Sequence, residues 1–200
     1  MKIIFCIFFF TILSCNSSTR YISDRELNNL VNSANTKFFQ TKDREVLLTV
    51  YKKLKCNKNF KKEGLTGNNS LPIIALFMNL NKYDELEKLL IEDENINTYY
   101  RKNTLNVVRY LKNFNRDKVK SQSYINENIN RITDSIRKSP KDSLLYGDYF
   151  AMRMFLNGKA KTLVEIDSMQ AVNKKYSEIF YESILKDAVK EYPDDYLPVK

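Results

Sequence analysis

The sequence predicts an all-α protein made of helical hairpins, arranged either as a short superhelical stack or as an irregular helical bundle. Three observations carry this. From residue 21 onward, apolar residues recur at intervals of three and four, the spacing of one helix face. Glycine and proline number four each in 200 residues, too few for a turn-dense β chain. The β-prone runs Thr49-Val50-Tyr51 and Asn106-Val107-Val108 each sit inside a better helical pattern.

The first helix opens on a capping box, Ser23 with Glu26, and Ile22 and Leu27 are placed to form its hydrophobic staple. Leu27, Leu30, Val31, Ala34 and Phe38 share its apolar face. A second helix covers 42–56, with Val46, Leu47, Val50, Tyr51 and Leu54 as its stripe. The run Gly64-Leu65-Thr66-Gly67-Asn68-Asn69-Ser70 is the clearest loop in the chain. Ser70, Leu71 and Pro72 then open a third helix, with proline in the first turn, where its missing N–H costs nothing. Ile73 to Leu80 is apolar except for Asn79, which predicts a central helix. A tight turn at 79–82 leads into a fourth helix carrying Tyr83, Leu86, Leu89 and Leu90. The short connection makes the two antiparallel neighbours.

A fifth helix is expected over 98–114, with Leu105, Val108, Leu111 and Phe114 inward. The sixth carries Ile125, Ile129, Ile132 and Ile136 and ends at Ser139-Pro140. The seventh, 142–156, carries Leu145, Tyr149, Met152 and Phe155, and Asn157-Gly158 closes it with a left-handed cap. An eighth, 160–170, has Leu163, Val164 and Ile166. A ninth, 173–191, has Tyr176, Ile179, Phe180, Ile184 and Ala188, and Pro193 stops it. Residues 72–96 resemble a degenerate ankyrin or tetratricopeptide unit, and residues 141–192 resemble a tetratricopeptide unit followed by one more helix. Ala151, Met154 and Gly158 match motif positions, Leu163 departs from the pattern, and no period of 33 or 34 residues persists.

Ahead of this body, residues 1–15 read MKIIFCIFFFTILSC. Lys2 precedes an apolar run from Ile3 to Leu13 that is too short to span a bilayer and fits the core of an export signal. Ile12-Leu13-Ser14-Cys15 resembles a bacterial lipobox: two aliphatic residues and a small one stand before the cysteine. The resemblance implies diacylation of the Cys15 thiol and cleavage before it. Two or three acyl chains give a stable anchor where one does not. The domain plan is then a signal peptide at 1–14, a lipidated N-terminus and tether at 15–21, one all-α domain at 22–192 and a tail at 193–200. The implied address is the cell envelope, at the outer membrane. The absence of acid in Asn16 to Arg20 favours the periplasmic face. The processed chain retains Cys15, acylated, and Cys56, so no internal disulfide is expected. Cys56, among Lys52, Lys53, Lys55 and Lys58, reads as a half-buried small apolar residue.

Histidine is absent, which excludes His-dependent triads, His-ligated zinc and an imidazole switch. No phosphate-cradling glycine loop, C-x-x-C pair or calcium loop is present. No cofactor or metal is expected. Glu85 with Glu92, and Asp142 with Asp148, read as helix-surface charge rather than acid–base pairs.

The charge is blocky. Residues 42–62 hold eight basic and two acidic residues, 83–95 six acidic and one basic, and 101–120 seven basic and one acidic. The basic blocks suit an anionic membrane surface beside an anchor, and the acidic block suits a basic neighbour within the fold. Nucleic acid is not an expected partner of an exported lipoprotein. Tyrosines exceed what one buried stripe can hold, and tyrosine favours interfaces. The candidate binding surface is therefore Tyr99, Tyr100, Arg101, Lys102, Arg109, Tyr146 and Tyr149. The expected function is that of a membrane-anchored, non-catalytic protein- or peptide-binding module. An immunity or inhibitor protein neutralising a toxin at the envelope is the alternative, and a carboxylate-dependent enzyme the third reading.

Overall fold

The structure, a computed structural model, describes residues 23–66, 70–93, 96–173 and 176–191. The signal, the lipobox with Cys15, the tether, the staple residue Ile22, the loop residues 67–69 and the tail lie outside the described residues. The described chain is all-α, with no strand among the described residues.

Its helices are α1 (Asp24–Thr41), α2 (Arg44–Cys56), α3 (Lys58–Glu63), α4 (Ser70–Asn79) and α5 (Tyr83–Glu92). They continue with α6 (Thr98–Asn113), α7 (Lys118–Lys138), α8 (Ser143–Asn157) and α9 (Lys159–Val172). A π-helical segment, Phe180–Lys186, then runs into α10 (Asp187–Glu191). Side-chain caps explain the starts. The capping box at Ser23 and Glu26 is formed, and Asp43, Asn57, Asn97, Asp117 and Asp142 each accept a backbone N–H of the next helix. The short helix α3 was not expected from the sequence. Asn57 ends α2 and at once caps α3, and Phe60 anchors it in the core.

Each helix packs mainly on its sequence neighbours, and α1 also packs on α4. The pieces differ too much for a regular stack: α3 has 6 residues, α7 has 21, and the last helix begins in π form. The result is an irregular packed bundle. One core joins α1 to α5 around Leu47, Leu54, Leu76, Phe77 and Leu86. A second lies among α6, α7 and α8 around Val107, Tyr110, Ile125 and Phe155, and Met78 touches both. The third holds Phe150, Met154, Ile166, Phe180, Tyr181 and Leu185. Helix α8 feeds the second and third from two faces, which joins them.

Several stripes sit rotated from their expected register. On α6, Val108 is buried as expected and Leu105, Leu111 and Phe114 pack half-buried against the cores, but Asn106, Val107 and Tyr110 are buried more deeply than these. On α9, Val164 is 62% exposed while Thr162 is buried. In the last helix Ile179 is 70% exposed, whereas Phe180, Tyr181, Leu185 and Val189 are buried. The i→i+5 bonding of a π turn puts residues five apart on one face, and Phe180 and Leu185 are such a pair.

Gly64 needs its lack of a side chain. Its φ is +66°, and an added Cβ would come within 3.2 Å of the Asp93 carboxylate. That carboxylate accepts the buried Leu65 N–H at 2.7 Å, tying the loop after α3 to the end of α5. Cys56 is half-buried, as expected, and is disulfide-bonded in the full-length chain; the expectation of no internal disulfide concerns the processed chain.

Candidate functional site

The acidic block is the inner layer of a charge sandwich. Helix α5 lies beside α6 and within reach of α2. Glu85 accepts hydrogen bonds from Tyr51 Oη at 2.6 Å and Lys55 Nζ at 2.9 Å, both from α2. Glu87 takes Arg109 Nε at 2.8 Å and Lys112 Nζ at 2.9 Å from α6, and Lys112 also reaches Asp84 at 2.6 Å. Burial pushes the Glu85 and Glu87 carboxyls up, but these donors outweigh it and hold both below the ordinary carboxylate range. Arg109 and Lys112 are therefore spent inside the fold. Arg101 is also turned toward α5, donating to the carbonyl of Asp93.

The opposite face of α6 carries a different arrangement. Tyr99, Asn103, Asn106 and Tyr110 follow one another at spacings of four, three and four, so they form one row toward α7 and α8. Asn128 of α7 is fully buried and is the hub. Its Oδ1 accepts Asn106 Nδ2 at 2.9 Å and Arg131 Nη1 at 3.1 Å, and its Nδ2 donates to the Asn103 carbonyl at 2.9 Å. Arg131 also donates to Asn103 Oδ1 at 2.6 Å and to Glu127 at 2.8 Å. At the other end of the row, Tyr110 donates to the Phe155 carbonyl at 2.7 Å and stacks edge-on with that ring.

Where the row reaches the surface, Tyr99 Oη donates to Asp148 Oδ2 of α8 at 3.2 Å. Asp148 is half-buried, and among the described residues no cation pairs with it. Desolvation raises its carboxyl pKa, the Tyr99 hydrogen bond partly offsets this, and the charge of Asp142 adds to it. Burial, helped by the Asp148 charge, pushes the Tyr99 phenol up to about 12. Tyr100 packs edge-on against Tyr99 with ring centroids 5.6 Å apart and is 54% exposed. Chemically this is a carboxylate held by one phenol, with a second, exposed phenol ring packed on the first, which suits a cationic group: the carboxylate supplies charge and a ring face can add cation–π attraction.

A raised carboxyl has a thermodynamic consequence. The folded chain holds the Asp148 proton more tightly than the unfolded one. Stability therefore falls as pH rises from the ordinary carboxylate range through the raised value, and the penalty is complete at neutral pH. Asp148→Asn keeps an acceptor for Tyr99 and removes the charge. It is expected to melt at a higher temperature than the native chain at neutral pH and at the same temperature near pH ~3, where carboxylates are protonated. Equal melting at neutral pH would show the native carboxylate to be well solvated.

The predicted surface residues do not form one face. Tyr99 and Tyr100 lie together at Asp148, Lys102 is exposed nearby on α6, and Arg101 and Arg109 serve the α5–α6 contact. Tyr146 belongs to a separate aromatic group, 5.3 Å from Tyr176 and 5.9 Å from Phe180, and Tyr149 sits edge-on to Phe150 at 5.2 Å. Desolvation and the hydrogen bond with Tyr176 push the Tyr146 phenol up to about 12. Asn103, Asn128 and Arg131 were not singled out from sequence. Their signal was polar residues interrupting apolar stripes, Asn106 before Val107-Val108 and Asn128 before Ile129. Of the carboxylate pairs weighed from sequence, Glu85 is ion-paired, Glu92 faces Lys88 at 3.8 Å and Asp142 caps α8. Among the described residues no cluster of acids or cysteines is arranged to hold a metal, and no helix is long and apolar enough to cross a membrane. No family model, curated protein or solved structure matches the chain.

Proposed function

We propose that the chain is a bacterial envelope lipoprotein, anchored through acylated Cys15, whose helical body is a non-catalytic binding module for a protein or peptide. The observation that carries the binding reading is the half-buried Asp148, held by Tyr99 with the exposed Tyr100 ring packed on Tyr99, which no described cation neutralises. A basic side chain of the partner would complete that pair. The lipobox resemblance carries the anchor.

Two measurements test this. Cys15→Ala should abolish acyl labelling and release the protein from membranes; continued attachment would defeat the anchor. Crosslinking of the native lipidated protein in membranes, followed by mass spectrometry, should yield a specific partner that Asp148→Asn and Tyr100→Ala both lose. Because Asp148→Asn is expected to stabilise the fold, its loss of partner would not reflect unfolding. A partner retained by both variants would move the binding face elsewhere.

A further inference from the structure

The basic residues that face α5 and those of α2 and α3 have different fates, while Lys102, Arg116, Lys118 and Lys120 stay exposed elsewhere. In α6, Arg109 and Lys112 are neutralised by Asp84 and Glu87. In α2 and α3, Lys55 is paired with Glu85, but Lys52, Lys53, Lys58, Lys61 and Lys62 are all exposed and make no ion pair among the described residues. The local helices explain the exposure. On α2, Leu47, Val50 and Leu54 turn inward, which leaves Lys52 and Lys53 on the outer side. On α3, Phe60 turns inward, which places Lys58, Lys61 and Lys62 opposite it, with Glu63 as the one acid of that helix.

The position of these lysines matters as much as their charge. Helix α1 has 18 residues and α2 has 13, about 27 and 20 Å at the helical rise. Only Lys42 and Asp43 join them, with Lys42 in the left-handed conformation, so α2 runs back along α1. The end of α2, and α3 after it, therefore return toward the end of the bundle where α1 begins. Residues 16–22 separate Ser23 from Cys15 and span at most about 25 Å when fully extended. An anchor at Cys15 would hold this end of the body within that distance of the bilayer.

We infer that the lysine face of α2 and α3 is a membrane-docking surface that lies on anionic phospholipid headgroups and orients the tethered body. This rests on the anchor proposed above. The occupant is a bilayer because the patch carries five exposed lysines against one exposed acid on α3, Glu63, and sits at the tether end. The acids that would oppose it, Asp84, Glu85 and Glu87, are already satisfied by α2 and α6. Docking of this kind fixes the orientation of the body rather than leaving it to tumble on its tether.

The test uses the full lipidated protein reconstituted into vesicles of neutral phosphatidylcholine or of phosphatidylcholine with phosphatidylglycerol. Amine-reactive labelling is read lysine by lysine by mass spectrometry. On anionic vesicles Lys52, Lys53, Lys58, Lys61 and Lys62 should label about threefold more slowly than on neutral ones, as expected for charges held at an anionic surface. The exposed Lys118 and Lys120 of α7 should be unchanged. Salt at about 0.5 M should remove the difference by screening. Replacing Lys58, Lys61 and Lys62 with Gln should restore fast labelling at Lys52 and Lys53. Equal labelling on both vesicles, or equal slowing at Lys118 and Lys120, would overturn the inference. So would protection by a soluble polyphosphate without protection by anionic vesicles. Retention on neutral vesicles reports the anchor alone. A chain that leaves neutral vesicles but binds anionic ones through these lysines would defeat the anchor and keep the patch.

Discussion

Phe77→Ala should lower the unfolding free energy by about 3–5 kcal/mol, the usual loss for a large aromatic removed from a packed core. Phe77 has no solvent exposure and lies in the last turn of α4, edge-on to Tyr51 with ring centroids 5.4 Å apart. Helix α4 packs against α1, α2 and α5, so the cavity would open where four helices meet and could not collapse by moving one of them. Tyr51 would also lose part of its support, and its hydroxyl is the donor that helps hold Glu85 ionised. Urea or thermal unfolding followed by circular dichroism measures the effect. A shift of roughly 10 °C is expected for a chain of this size. A loss below about 1 kcal/mol would mean that α4 is not the centre of the bundle.

The second large effect concerns a polar residue. Asn128→Leu keeps the branching at Cγ with a larger volume, so its cost combines the groups left behind with some overpacking at a fully buried site. Asn106 Nδ2 loses its acceptor, the Asn103 carbonyl loses a donor, and Arg131 loses one of its three acceptors. An orphaned buried polar group costs about 1–3 kcal/mol, so the single substitution should cost about 2–4 kcal/mol in all. The double variant Asn106→Leu, Asn128→Leu removes donor and acceptor together and should recover part of that loss. A double-mutant cycle gives the coupling between them, and a coupling near zero would show that water replaces the bond. The same cycle reads out the polar row beneath Tyr99, because Asn103 contacts Tyr99, Asn128 and Arg131.

Much of the fold was legible because it depends on local chemistry. The capping box at Ser23, the proline opening of α4, the tight turn before α5 and the stop after Lys138 are satisfied within a few residues of chain. Ile125 and Ile132 are buried as their spacing implied. Less of the site was legible. Tyr99 and Tyr100 could be named as aromatic candidates, but Asp148 lies 49 positions away from Tyr99, and only the packing of α8 near the start of α6 joins them. Arg101 and Arg109 looked like free charge, yet they are bound to α5, because pairing between helices depends on which faces meet. Tyr146 and Tyr149 belong with the C-terminal aromatic group for the same reason.

The sequence by itself determined that the described chain is helical, where most helices start and stop, and that the acidic stretch at 83–95 would find basic partners. These follow from periodicity, caps and net charge, which act over one or two turns. The tertiary structure decided which side of each helix is inside, as the rotated stripes of α6 and the π segment show. It also decided which basic residues of each block are spent inside the fold and which stay exposed. Both outcomes are set by the energy of burying particular faces against each other. That energy depends on contacts between residues far apart in the chain, so no local pattern encodes it.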